Sequence, residues 1–424
     1  MRAFIGLFAA IACVASATAC HAQPAKAPAS DGAVPRYSHI FVIVEENKNY
    51  EQILDPAMAP NITTLAATYG NATRFFGEVH PSEANYVALV GGDTFGIHDD
   101  DGFSCRPGST GDFCGGASAP GYVDHTVHQA HLGDQLTAAG KTWKGYYESL
   151  PAPGALDFTA SDPAFDNGTR KTALYASKHS GFLNFASVQD NPHRADLIVD
   201  FRQLGADLAA NRMPNFAIIV PNQCNEMHGL HGANIPADCD GANVGPLIAR
   251  GDRVVGELVK KLQATAAWKS PQNVAIVITF DEGSGKTREG CCAVTPDAPS
   301  NFGGGHIPTI VITNHGPRGV KDDTPYNHYS LLRTMQDAFG LRPYLGHAAD
   351  TDKGVAPMVP LFTTAKMAHQ PARHNYWLSL ARPTPLPRFA VPLPREVRVR
   401  IALSSPSSAA PRGKWRGALN CAVT

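Results

Sequence analysis

The sequence predicts an α/β protein built on a mostly parallel central sheet with helices on both faces. Three observations carry this prediction. Apolar, β-branched runs recur at 40–44, 216–220, 274–280 and 309–313, and runs without polar alternation suit strands buried on both faces. Helix-like segments fall between them, and strand–helix alternation places helices on both sides of a parallel sheet. Two runs end abruptly in acids, Glu45-Glu46-Asn47 and Asp281-Glu282, and ligands of such sheets collect at the carboxyl ends of the strands.

Residues 1–22 read as a signal peptide. Arg2 supplies the charge, 4–14 an apolar stretch, and Ala17-Thr18-Ala19 a small-residue cleavage pattern. The apolar stretch is too short for a permanent anchor. Cys20 raises a lipoprotein alternative, ranked below soluble export to the periplasm or medium because Ala17 stands where lipoprotein signals usually carry Leu. Residues 23–37 are Ala/Pro-rich, a flexible lead-in. The alternating pattern fills 38–362, with strands expected at 39–44, 142–147, 216–220, 274–280 and 309–313. Helices are expected at 61–69, 82–90, 127–139, 195–210, 248–267 and 329–339, the last stopped by Gly340. Gly/Asp-rich 91–121 and 150–172 read as functional loops or caps. Beyond 363 Pro and Arg dominate, the composition of a disordered or poorly packed extension.

Charged residues are 17% of the 424, below the roughly 25% of an average soluble chain. The net charge of −1 argues for neither nucleic acid nor an anionic membrane surface. No later segment is long and apolar enough to span a bilayer. Of the 9 cysteines, Cys13 and Cys20 lie in the leader. Cys105/Cys114 and Cys224/Cys239 could each close a small loop, and neither pair has the CxxC spacing of a zinc knuckle. For Cys291-Cys292 a bond to each other and to partners elsewhere are both open, and Cys421 makes the number odd.

Glu46, Asn47, Asp281 and Glu282 offer hard oxygen ligands, suited to Ca, Mg, Mn or Zn. One such cluster would read as cap or surface acids; two at matching strand ends point to a divalent metal ion. Ser82 follows His80-Pro81 and opens a helix. That is the place of an N-cap, and equally of a nucleophile beside free backbone amides where phosphate binds. No GxSxG elbow is present. Segment 216–229 adds Asn222, Asn225, Glu226 and His228, and 304–317 adds His306 behind Gly303–Gly305. Lys178, His179 and His328 are candidates for phosphate or substrate contacts.

The ordered set VEEN, HPSEANYVALVGG, YASKHSGFLNF, VPNQCNEMHG, ITFDEGSG, GGHIPTIVIT and YNHYSLLRTMQDAFGL resembles the bacterial secreted phosphoesterases, acid phosphatases and phospholipases C of the alkaline phosphatase superfamily. The likeness covers most of 38–345. It implies an alkaline-phosphatase-like three-layer sandwich, a metal held by Glu46 and Asn47 with Asp281 and Glu282, and Ser82 as nucleophile. Asn85 follows Ser82 as an Asn follows the nucleophilic Thr of related nucleotide pyrophosphatases. Asp100 stands where a phosphate-binding Asn would be expected, Ala84 where the family usually has Pro, and Glu226 where it usually has Asp. Phosphate or substrate contacts are expected from Asn85, Asp100, Asn222, Glu226 and His328, and proton donation to the leaving alcohol from His228 or His306. The reading is an exported acid phosphatase acting on small phosphomonoesters through a phosphoserine. Its rivals are a phospholipase C or phosphodiesterase, with phospholipid as substrate, and a non-catalytic metal-bound envelope protein that binds phosphorylated ligands.

Overall fold

In the computed structural model, residues 33–100, 124–165, 173–232, 234–285, 287–293 and 302–364 are described. The leader, the tail, Cys105/Cys114, Cys421 and most of the 91–121 loop lie outside them. The strands are β1 His39–Glu45, β2 Gly70–Phe76, β3 Trp143–Tyr147, β4 Thr159–Ser161, β5 Ala173–Ala176, β6 Ile198–Val199, β7 Phe216–Val220, β8 Val274–Phe280, β9 His306–Thr313, β10 Val320–Asp322 and β11 Tyr326–Asn327. The main sheet runs β10-β2-β9-β8-β1-β7-β3-β6, with β11 also beside β2, and β4 and β5 form a separate pair. From β8 through β1, β7, β3 and β6 all pairings are parallel. β9 runs antiparallel to both β8 and β2.

The four apolar runs therefore share one sheet, as their composition requires. β1 shows why: Ile40 to Ile43 are each 0% exposed, so both faces are covered. In the helix Val244–Ala264, Leu247, Ile248, Gly251, Val255, Leu258, Val259 and Leu262 are buried, the spacing of one helical face. The helix His328–Phe339 is capped by Asn327, whose Oδ1 accepts from Ser330 N–H at 3.1 Å, and ends at Gly340 with φ 73°.

Three helix expectations shift, and β2 was not expected because it has no apolar run; its buried Asn71 donates from Nδ2 to the Tyr50 hydroxyl at 2.8 Å. The helix expected at 127–139 is only Leu132–Ala138. The one at 195–210 divides at Asp200, which caps Phe201–Ala209 by accepting from Gln203 N–H at 3.1 Å while Ile198–Val199 becomes β6. The long helix at 248–267 starts earlier and stops before Thr265, whose hydroxyl accepts from Trp268 N–H at 3.3 Å. Cys224 is bonded to Cys239, and Cys291 to Cys292. No helix of the described residues is long and apolar enough to cross a membrane.

The antiparallel run of β9 has a consequence for the active edge. Its start, His306, lies opposite Phe76 at the end of β2. The preceding glycines then reach the carboxyl edge, where Gly77 and Gly304 exchange backbone contacts (Gly304 N–H to Gly77 O, 3.0 Å). A Cβ on Gly77 would lie 2.9 Å from Asp281 O, so only glycine allows this approach.

Candidate active site at the carboxyl edge of the sheet

Parallel strands deliver their C-terminal residues to one edge, and here that edge collects acids. Glu46 and Asn47 leave β1, Asp281 and Glu282 leave β8, Glu226 and His228 follow β7, and His179 ends the turn Ser177–His179 after β5. Backbone bonds hold the strand ends together: Glu46 N–H donates to Glu226 O at 2.7 Å and Asp281 N–H to Glu45 O at 3.1 Å.

Ser82 precedes the helix Glu83–Gly91, yet its hydroxyl makes no capping bond. It is 1% exposed and donates instead to Glu46 Oε2 at 3.2 Å. Asn47 Nδ2 donates to Glu282 Oε1 at 2.8 Å and to Ser82 Oγ at 3.4 Å, and its N–H to Asp281 Oδ1 at 3.4 Å. His80 links Glu282 (2.7 Å) to Thr287 O (2.8 Å). His179 stands between Glu46 (3.2 Å from Nε2) and Glu226 (2.8 Å from Nδ1), its ring stacked on Tyr86 at 5.5 Å. His228 meets Gly229 O through Nδ1 at 2.8 Å, leaving Nε2 for the site. One ligand atom each of Glu46, His179 and His228 lie within 4.8 Å of one another.

Burial and mutual repulsion dominate the electrostatics. Burial, then Asp281 and Glu226, hold Glu46 well above the usual carboxylate range, and burial with Asp281 does the same to Glu226. Burial raises Asp281 and pushes Glu282 up to about 7, although the His80 bond opposes it. Burial and the neighbouring Lys178 charge push His179 down and His228 to about 4, so both rings are neutral near neutral pH. Clustered buried carboxylates are costly without a compensating cation. Asp281 Oδ2 is buried with no hydrogen-bond partner, and the set Glu46, Asn47, Asp281, Glu282 and Ser82 offers hard oxygens. These residues fit a divalent cation. On the other side of Glu46, His179 and His228 offer neutral ring nitrogens. Their second nitrogens are held by Glu226 and Gly229 O, the outer support that metal-binding histidines carry.

Of the remaining sequence candidates, Asn85, Asn222, His328 and His306 spend their side chains on other partners, while Asp100 stands beside the site with Lys178. Asn85 spends its side chain on backbone, accepting from Glu78 and Val79 N–H (2.9 and 3.1 Å) and donating to Val79 O at 2.9 Å. Asn222 Oδ1 accepts from Cys224 and Asn225 N–H, both at 3.2 Å, and so shapes the turn that carries Glu226. His328 is fully buried between Glu78 and Phe280 O. His306 contacts Glu51, Thr73 O and the Tyr50 ring. Asp100 receives Lys178 Nζ at 2.8 Å and Glu83 N–H at 3.2 Å. The sequence marks His179 only as a phosphate or substrate contact, and His80 and Tyr86 only through the motif that contains them, since a single ring carries no periodic signal.

Comparison with known proteins identifies the family. A model of the phosphoesterase family matches residues 52–342. A phosphatidylinositol-3-phosphatase of Mycobacterium tuberculosis is 29% identical over 320 residues, 75% of this chain and 82% of that protein. An acid phosphatase of Aspergillus fumigatus is 28% identical over 310 residues, 73% of this chain and 56% of its own length. A solved Vibrio parahaemolyticus protein of the alkaline phosphatase superfamily aligns with 74% of this chain and 71% of its own at 14% identity, with a TM-score of 0.43. The chain belongs to the phosphoesterase family and is a hydrolase of phosphate esters.

Proposed function

We propose that the chain is an exported, metal-dependent acid phosphatase that cleaves phosphomonoesters through Ser82. One observation carries the reading: a buried serine hydroxyl, free of any capping role, donates to Glu46 in the middle of a carboxylate cluster. A divalent cation held by Glu46, Asn47, Asp281 and Glu282 would neutralise charge on the phosphoryl oxygens and the serine oxygen.

Ser82 Oγ attacks phosphorus after releasing its proton to solvent; a bound cation would keep its acceptor Glu46 ionised and lower the pKa of the hydroxyl. The new O–P bond forms as the ester O–P bond breaks, leaving a phosphoserine and an alkoxide. His228 Nε2 protonates the alkoxide, and water then hydrolyses the phosphoserine. Because burial holds His228 near 4, it carries this proton only in acidic solution, which favours acid-side turnover. His179, fixed by Glu226, and Lys178, fixed by Asp100, complete the walls. Export is supported by the leader-like residues 1–22 and by the Cys224–Cys239 bond. The phosphoinositide phosphatase among the relatives favours a lipid-borne monoester as the second reading, ahead of a diester.

Ser82→Ala tests the proposal. Turnover on p-nitrophenyl phosphate should fall by about three orders of magnitude or more, with folding and bound metal nearly intact, and the wild type should yield phosphoserine at Ser82 on acid quench. If Ser82 were only a helix cap, the variant would lose about 0.5–2 kcal/mol of stability and keep its turnover per folded molecule.

A further inference from the structure

Beside the carboxylate cluster lies a cavity of about 160 Å³, lined by Asp100, Phe158, Ala176, Lys178, Gln223 and His228, among others. The geometry points to this cavity as the leaving-group subsite, shaped for a phosphomonoester of a six-membered polyol ring such as a cyclitol or hexose. The inference rests on the phosphomonoesterase reading and names its substrate class.

Three features of the chain lead there. The first is position. His228 belongs both to the group it forms with Glu46 and His179 and to the cavity wall. An ester with phosphorus at Ser82 thus directs its alcohol past His228 into the cavity. The second is size. A cavity of about 150 Å³ takes up one benzene molecule, so this one holds a single six-membered ring. It is underfilled by a two-carbon alcohol.

The third feature is chemistry. Phe158 and Ala176 supply an apolar wall, and Asp100 with Lys178 a charged one. A polyol ring has both surfaces, C–H faces and hydroxyl edges. Asp100 settles which group it serves: its carboxyl oxygens accept hydroxyl hydrogen bonds but offer the oxygens of a phosphoryl group no donor. Its other oxygen is tied to Glu83 N–H at 3.2 Å, one residue after Ser82. The charged wall is therefore fixed relative to the nucleophile.

The experiment compares kcat/KM for myo-inositol 1-phosphate and ethyl phosphate in the metal-loaded full chain, with p-nitrophenyl phosphate as the general monoester. Relative to wild type, the ring-to-ethyl ratio should fall about ten-fold or more in Ala176→Leu, which fills the cavity, and in Asp100→Ala, which removes the hydroxyl acceptor. A merely structural role lowers both esters together, so an unchanged ratio in both variants overturns the subsite. If the wild type releases phosphate from none of the three esters, the parent reading fails instead. The subsite is then judged by calorimetry with free myo-inositol: binding that Ala176→Leu abolishes supports it, and no binding to the wild type overturns it.

Discussion

Two regions of this molecule bury acids, and they treat them in opposite ways. In the framework, Asp207 on the helix Phe201–Ala209 accepts from Lys144 Nζ at 2.6 Å, the Tyr146 hydroxyl at 2.8 Å and Gln203 Nε2 at 2.9 Å. Burial alone would raise its pKa; the Lys144, Tyr146 and Gln203 bonds outweigh burial and hold it below the usual range. Asp252 is similarly occupied, accepting from the N–H groups of Asn61 and Ile62 at 3.1 and 2.8 Å. At the carboxyl edge of the sheet, Glu46, Glu226, Asp281 and Glu282 face one another and are all raised. Glu45 behind them is buried with neither carboxylate oxygen hydrogen-bonded, and burial with Glu226 raises it well above the usual range. A framework acid is satisfied by donors, whereas a site acid is left short of them. The shortage is what a cation would fill, and clustered raised pKa values of this kind mark functional sites.

Removing the cation should break the contrast most forcefully. Exhaustive chelation should take phosphatase turnover to background and re-addition of a divalent ion should restore it. The cation should also raise the melting temperature, by an amount that grows with the logarithm of its concentration. Full activity in a protein shown to be metal-free would sink the assignment of Glu46, Asn47, Asp281 and Glu282. A smaller effect comes from neutralising one acid in each region of the metal-free protein. Asp207→Asn should cost about 1–3 kcal/mol, because buried donors lose their acceptor. Glu46→Gln should gain about 1 kcal/mol, because repulsion is relieved, the usual trade of stability against activity. Denaturant midpoints measure both, and the same sign at the two positions would remove the distinction.

Much of this was legible in the sequence, for physical reasons that also mark where legibility stops. A strand buried on both faces must be apolar throughout, so β1, β7 and β8 announced themselves; β2, whose Asn71 donates to the Tyr50 hydroxyl of another element, did not. The antiparallel direction of β9 leaves no trace in a run of apolar residues, which read the same in either direction. Strand-end acids were legible because Glu46 and Asp281 follow apolar runs that had to be strands. The histidine partners were less so. His179 comes from a short turn and His80 from a loop, and only tertiary structure brings either to a carboxylate. His306 illustrates the converse: the glycine run beside it reaches the edge, but its ring packs on Tyr50.

The gentlest difference between the two regions should appear in the pH dependence of the metal-free protein. Glu282 titrates near 7 in the folded chain against an ordinary value of 4.5, raised chiefly by burial. The folded state therefore binds its proton more tightly than the unfolded state. Stability from this group is complete below about pH 4.5 and declines as pH rises toward 7. His80, raised by its bond to Glu282 against the effect of burial, acts in the same sense, losing stability as pH rises through its folded pKa. Asp207, depressed by its donors, acts oppositely: its contribution is present above its ordinary 3.8 and is lost as pH falls below that. Set against Glu282→Gln, the metal-free wild type should thus lose on the order of 1 kcal/mol per pKa unit as pH rises through the Glu282 window, its alkaline limb, and set against Asp207→Asn it should lose stability as pH falls below 3.8. Melting temperatures taken from pH 3 to pH 8 read both differences. Adding the cation should flatten the alkaline limb alone, since it binds the ionised carboxylates and leaves Asp207 untouched. Glu282→Gln should flatten the same limb without metal. An alkaline limb that persists unchanged in that variant would mean that Glu282 is not raised by burial at the sheet edge.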